Sequence, residues 1–380
     1  MATKDTGIKR LGKNLYRIRF EGPAKPDGSR GQVSMTIRGT REDARRERAT
    51  QIARARGIHA GITYGELWDA FVEPSFVKYE LKAKTIDGYT RVWNKELKGR
   101  ISRKRVIDTT PSYVEDVLAN IESAWVQRAA HALWRKMINQ ARHEGLSMAN
   151  PVDQYIVRKK AVAAPRPTLE SKDVMVWLNT IADYRHRAAP LAMAGGGMRV
   201  EEASVLIAED IRPVRHRGKL YAVVNIRNTL VSTSWGKVLQ DSTKTPFSER
   251  TLWIGEPFAT PLLEAIPESG PILPSQTPWQ GGELKAKHFI GPTYLTETYR
   301  EHIKDSGMYY VNPGKLRKSW SNWQGEAGTE DSLVSLQMGH TDGTTRGRNY
   351  QSLTRVMSIR MADALEELIR EESAFAFAIA

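Results

Sequence analysis

Cysteine is absent from this 380-residue chain, which removes disulfide frameworks, thiolate zinc sites, iron–sulfur clusters and cysteine nucleophiles, and fits a reducing compartment. Long apolar runs are absent too. Nothing approaches the roughly eighteen consecutive apolar residues of a membrane span, and the mean hydropathy is −0.48. The opening MATKDTGIKR lacks the apolar core of a secretory signal, so the expected location is the cytoplasm, with no membrane partner. Histidine is sparse: the 8 residues are scattered, without the spacing of a zincin helix or another compact metal site. No Gly-Lys-Ser/Thr follows Gly195-Gly196-Gly197, so the glycines read as the tight end of an apolar helix and not as a phosphate loop. Neither a metal nor another cofactor is expected.

What the chain has in excess is positive charge, a formal +14 from 57 basic and 43 acidic residues. Its distribution is uneven. Residues 1–60 carry 15 basic and 6 acidic side chains, residues 61–160 carry 17 and 12, and residues 161–380 carry 25 of each. A basic N-terminal portion on a neutral C-terminal one points to a polyanion, because neutralised phosphates release counterions and drive association. A basic amphipathic helix with a bulky aromatic face, which would favour a lipid surface, is not evident. Nucleic acid is the expected partner.

Three regions are expected from patterning. In residues 1–60, Asn14 to Phe20 and Gln32 to Ile37 alternate as paired strands across a turn-rich link, and Thr40 can cap a helix over Arg41 to Arg56, giving a small α+β unit. In residues 61–160, apolar residues recur at three- and four-residue steps over Thr63–Val77, Thr85–Leu97, Pro111–Ile121 and Ala124–Glu144, which predicts an all-α helical bundle with Trp93, Trp125 and Trp134 in its core. A basic stretch, Arg158, Lys159 and Lys160, and the linker AVAAPRPT then mark the main boundary. Residues 161–380 are mixed α/β and mainly α: helices over Ser171–Thr180, Tyr184–Ala194 and Val200–Leu206, strands over Leu220–Ile226, Thr229–Thr233 and Arg250–Ile254, and helices again after Thr293.

The motifs of the third region are specific as a set. Gly197-Met198-Arg199-Val200-Glu201-Glu202 is followed by Val205-Leu206 and Asp210-Ile211. Lys244 sits in Thr243-Lys244-Thr245, just before the strand at Arg250. Downstream come Leu316-Arg317-Lys318, Ala327-Gly328, Leu336-Gln337-Met338-Gly339-His340, and Thr344-Thr345 before Tyr350. In order and approximate spacing these boxes resemble the tyrosine recombinases, the phage integrase family. Ala130 to Pro151 is similar to the last helix of that family's core-type DNA-binding domain, and residues 7–56 to its arm-type domain. The resemblance thus implies a multidomain chain: an arm-type domain over 1–60, a core-type bundle over 61–160, and a catalytic domain with a C-terminal tail over 161–380.

The resemblance also implies the chemistry. Tyr350 is the nucleophile, attacking a backbone phosphorus to leave a 3′-phosphotyrosyl link and a free 5′-hydroxyl. Bond energy is kept in the adduct, so the reaction as such calls for neither ATP nor metal. Arg199 and Arg317 hold the non-bridging oxygens of the transition state as guanidinium forks. Lys244 is the general acid for the leaving 5′-oxygen, with Lys237 as fallback. His340 contacts the scissile phosphate or orients Tyr350, and Glu202 buttresses the arginines. Arg17, Arg19, Arg38, Lys84, Arg158, Lys159 and Lys160 are the expected DNA contacts. The expected assembly is a homotetramer on core-type and arm-type attachment sites of double-stranded DNA, with a directionality factor and a host DNA-bending protein as further partners.

Two features depart from the family pattern. The histidine usual three residues before the second arginine is Gly314 here; Lys315 beside it can substitute if the loop turns it inward, and the general-base role stays open. The interval from His340 to Tyr350 is one residue longer than the commonest spacing. Past Tyr350, Arg355 to Glu372 has helical spacing, and the chain ends on the apolar Phe375-Ala376-Phe377-Ala378-Ile379-Ala380. By resemblance that ending docks on a neighbouring protomer; packing in cis and a degradation tag are the alternatives. A type IB topoisomerase and a non-catalytic DNA-binding relative remain as rival functions.

Overall fold

The computed structural model describes residues 7–24, 30–56, 61–146, 148–157, 167–181, 183–240, 249–273, 275–304, 306–340 and 353–379. Lys244, Tyr350, Arg158, Lys159 and Lys160 lie outside the described residues, as does the linker at 161–166. The chain divides into two compact units, Met1–Ala163 and Ala164–Ala380.

The first unit opens with an antiparallel sheet of β1 (Ile8–Gly12), β2 (Leu15–Ala24) and β3 (Arg30–Arg38), ordered β1-β2-β3, backed by α1 (Arg41–Arg56). Alternation along β2 buries Ile18 and Phe20 with Ala44 of α1, and so turns Arg17 and Arg19 to the opposite face. Thr40 caps α1 as expected: its hydroxyl accepts from the Asp43 N–H at 3.2 Å, and Asp43 accepts from the Thr40 N–H at 2.6 Å. The Asp43 carboxyl is held below its ordinary range by that backbone hydrogen bond.

A helical bundle follows. α2 is a continuous run of Tyr64–Leu67, Trp68–Val72 and Glu73–Lys78, and α3 of Ala83–Val92, Trp93–Leu97 and Lys98–Ile101. The middle stretch of each is a wide π turn, which rotates the following side chains out of the α-helical rows. Trp68 and Trp93, which open those turns, stack at 4.8 Å between ring centroids. α4 (Pro111–Ala119) and α5 (Ala124–His143) complete the bundle. Trp93 and Trp134 are buried in it, but Trp125 is 62% exposed, a correction to the expected core trio. Trp125 lies in the first turn of α5, whereas the apolar stripe that reaches the core runs through Ala130, Leu133, Trp134, Met137, Ile138 and Ala141.

The second unit is built around α6 (Val174–Asn179), α7 (Tyr184–Gly196) and the short α8 (Val200–Ala203), then β4 (Ile211–His216), β5 (Lys219–Ile226), β6 (Thr229–Thr233), β7 (Gly236–Gln240) and β8 (Arg250–Ile254). α8 ends at Ala203 instead of Leu206. Strands β4, β5 and β8 form one antiparallel sheet, and β6 and β7 pair separately as a hairpin. Neither β4 nor β7 was expected. Helices α9 (Ala259–Ala265), α10 (Pro292–Lys304), α11 (Pro313–Glu326), α12 (Asp331–Gln337) and α13 (Arg355–Ile379) close the unit. One apolar core links α7, the sheet, α9, α11 and α13. α13 covers the other sheet face, with Ile359 and Ala362 against Tyr221, Val223 and Trp253. Among the described residues no helix is long and apolar enough to cross a membrane.

Candidate active site

Tight packing at the end of α7 sets up the site. A Cβ on Gly195 would lie 2.5 Å from Ile254 Cγ2, and one on Gly197 would lie 2.5 Å from the Trp320 ring, with Gly197 at φ +67°. Only glycine fits there, since the left-handed region disfavours a Cβ and the neighbours are core groups. The left-handed turn ends α7 and delivers Arg199 as the N-cap of α8.

Arg199 and Glu202 then lock onto each other. The Arg199 N–H donates to Glu202 Oε2 at 2.8 Å and its Nη1 to Oε1 at 2.6 Å. Glu202 is 1% exposed. Burial pushes its carboxyl up, but Arg250 and then Arg199 outweigh that, and the net shift is downward. The glutamate therefore stays ionised. Arg199 keeps 28% of its side chain exposed, as a group that meets a ligand must.

Arg317 comes from α11. Asn312 caps that helix through the Gly314 N–H at 2.9 Å, and Leu316, Trp320 and Trp323 bury its core face. Arg317 itself is buried, donating Nη1 to the Gly197 carbonyl at 2.8 Å and Nη2 to the Met338 carbonyl. Burial, then the charge of Arg199, push its guanidinium down to about 9, still cationic at neutral pH. His340 Nε2 lies 3.0 Å from Arg317 Nη2. Guanidinium only donates, so Nε2 is the acceptor and the imidazole proton sits on Nδ1. Burial and then Arg317 lower the His340 pKa below the ordinary value of 6.5.

The turn after α12 organises all of this. The Gln337 carbonyl accepts from Arg250 Nε at 2.6 Å, Met338 from Arg317, and Gly339 from Arg199 Nη2 at 3.5 Å. Three successive carbonyls each meet a different arginine. Of the residues singled out from sequence, Arg199, Arg317, His340 and Glu202 are brought together. Lys315 lies in the first turn of α11 and, with Tyr310, Asn312, Gly314 and Pro167, lines a cleft of about 470 Å³. Lys237 stands on β7, opposite Ser232, and donates to the Phe289 carbonyl. Arg250 was missed by sequence reasoning. The available signal was an arginine opening a strand whose last three residues are apolar, Arg250-Thr251-Leu252-Trp253-Ile254, since a cation buried there demands an acid.

In the first unit, Arg17 and Arg19 share an exposed sheet face with their pairing partners Lys9, Thr36 and Ser34, and Arg38 stands opposite Leu15 on that face. Lys84 is exposed in the first turn of α3.

Several solved structures share this architecture. The integrase of transposon Tn1549 with transposon right end DNA aligns at TM-score 0.58 and 15% identity, covering 79% of this chain and 98% of that one. The lambda integrase tetramer bound to a Holliday junction aligns at 0.52 and 14%, covering 90% and 98%. The chain has the tyrosine recombinase integrase fold. A lambda integrase dimer bound to a COC′ core site also matches, at 0.52 and 14% over 77% and 100%. No family model matches the chain, and no curated protein does. The integrase fold supplies the architecture; the chemistry has to be argued from the site.

Proposed function

We propose that this protein is a site-specific DNA recombinase of the tyrosine recombinase family, the integrase of a phage or similar mobile element. The observation that carries the reading is the convergence of Arg199 and Arg317, 118 positions apart in sequence, on the single turn that ends in His340.

In this reading the two guanidinium groups bind the non-bridging oxygens of the scissile phosphate, where charge builds in the phosphorane transition state. The Tyr350 phenolate oxygen, its proton given up to solvent, forms the new bond to phosphorus as the bond to the 5′-oxygen breaks. Lys244 supplies the proton to that oxygen; Lys237, held on the Phe289 carbonyl, is the reserve donor. Neutral His340 offers its Nδ1–H to the phosphate or to Tyr350. Lys315 takes the place of the basic group missing at Gly314. The residue 1–60 sheet acts as an arm-type module through Arg17, Arg19 and Arg38, and the bundle over 61–160 as a core-type module with Lys84, followed by Arg158, Lys159 and Lys160. The working form is a homotetramer on two DNA sites, assisted by a directionality factor and a host DNA-bending protein, in the host cytoplasm.

The test is a nicked suicide substrate carrying the element's attachment site. Wild type is expected to form a covalent adduct that maps to Tyr350, and Tyr350→Phe to bind DNA without forming it. Arg199→Ala is expected to cleave on the order of 10² to 10³ more slowly, the cost of removing one oxyanion donor. Normal footprints with no wild-type adduct would identify a non-catalytic relative, and relaxation of plasmids lacking any attachment site a type IB topoisomerase.

A further inference from the structure

Arg250 opens β8 with its side chain almost wholly enclosed, 4% exposed against 0% for Glu202. Its Nη1 reaches Glu202 Oε1 at 3.2 Å and its Nη2 reaches Oε2 at 3.0 Å, a bidentate fork that a lysine cannot reproduce. Glu202 therefore takes two hydrogen bonds on each oxygen. Oε1 receives Arg199 Nη1 and Arg250 Nη1, and Oε2 receives the Arg199 N–H and Arg250 Nη2. The third guanidinium nitrogen, Nε, is fixed on the Gln337 carbonyl at 2.6 Å. Gln337 is anchored in turn: its Oε1 accepts from the Ser358 hydroxyl at 3.0 Å, and Ser358 accepts from the Trp253 N–H at 3.0 Å. Arg250 thus ties β8, α8 and the arginine-binding turn, and through Ser358 the start of α13, into one polar network.

We propose that Arg250 is a positioning residue for DNA cleavage, acting through Glu202 to keep Arg199 oriented and electrostatically available to the scissile phosphate. The inference rests on the recombinase reading above. A buried carboxylate held by Arg199 alone would form a closed neutral pair and compete with the phosphate for that guanidinium. With Arg250 on its second side, the carboxylate is already balanced. The cluster of Arg199, Arg250, Arg317 and Glu202 then keeps a surplus of positive charge where the phosphate arrives. Removing Arg250 does more than delete a contact: it moves the whole charge of Glu202 onto Arg199. Arg250 itself is too enclosed to meet DNA, so it acts only through its partners.

The charged and titratable groups that interact with the Glu202 carboxylate, among the described residues, are Arg199 from its own segment, Arg250 from β8, Arg317 from α11 and His340 after α12, while the neighbouring Glu201 acts on Arg317. With Arg250 gone, burial of Glu202 is opposed mainly by Arg199, and its carboxyl moves up toward the working pH range.

The experiment measures single-turnover cleavage of the suicide substrate from about pH 5.5 to 9 for wild type, Arg250→Met, Arg250→Lys, Glu202→Gln and the double variant, with DNA affinity and melting temperature alongside. Arg250→Met should cleave on the order of 10²-fold more slowly near neutrality, with affinity within about twofold of wild type. Its rate profile should gain an ionisation step in the mildly acid range that wild type lacks. Arg250→Lys should recover part of the rate, and in the Glu202→Gln background Arg250→Met should add little loss and no new step. The proposal is overturned if Arg250→Met cleaves at the wild-type rate. It is equally overturned if the loss is independent of pH, adds fully to that of Glu202→Gln and merely follows the fall in melting temperature. A wild-type protein that forms no adduct overturns the recombinase reading first, before any Arg250 variant is compared, and this inference with it.

Discussion

Arg317 Nη2 lies 3.0 Å from His340 Nε2, so a group that can only donate occupies the one ring nitrogen able to accept. Protonating His340 would set two cations against each other, and burial together with Arg317 lowers its pKa accordingly. A depressed histidine pKa means that the unfolded chain binds more protons than the folded one as pH falls below 6.5. The stability tied to neutral His340 is thus present above about 6.5 and lost as pH falls through the folded value. Melting curves of wild type and His340→Asn between about pH 5 and 8 should show the wild type losing ground to the variant on acidification.

Gly197→Ala is expected to destabilise the second unit by at least about 2 kcal/mol, from left-handed backbone strain and overpacking against Trp320. Because the Gly197 carbonyl accepts from Arg317, cleavage should fall as well. Urea unfolding and a cleavage assay on the same preparation check both.

Arg46→Ala should do little. The side chain bridges Asp69 and Glu73 but is 54% exposed, and exposed ion pairs contribute about 0 to 1 kcal/mol. A drop in melting temperature corresponding to more than about 1 kcal/mol would contradict this.

Under the proposed arm-type role, Arg19→Ala should weaken DNA binding similarly across sequences and reduce the slope of log affinity against log salt by about 0.9, as expected for the loss of one phosphate contact. If the whole protein makes about six to ten such contacts, wild-type affinity should fall by roughly 10³ to 10⁵ between about 50 and 200 mM salt. Titrations at several salt concentrations test both statements.

Local pattern was enough to read the bundle helices, the α1 cap, strands β5, β6 and β8, and the glycine turn that delivers Arg199, because each is dictated by neighbours within a few residues. β4 was not legible: beyond Ile211 its length is exposed or half-buried, and Pro213 argues against a strand. β7 is short and exists by pairing with β6. Trp125 shows the opposite error, since size and hydrophobicity suggest a core residue while its helical position turns it outward. In the site, Arg199, Arg317 and His340 were found through motif order. Arg250 was not, because its meaning depends on Glu202, 48 positions earlier, and no local spacing records that partnership.

The turn 337–339 offers its arginines main-chain oxygens and not side chains. Exchange of the residue type at Met338 leaves that contact intact, whereas a one-residue insertion or deletion would shift every oxygen to the wrong guanidinium together. Randomised libraries across this turn should therefore return active clones with varied spelling at 338 and invariant length.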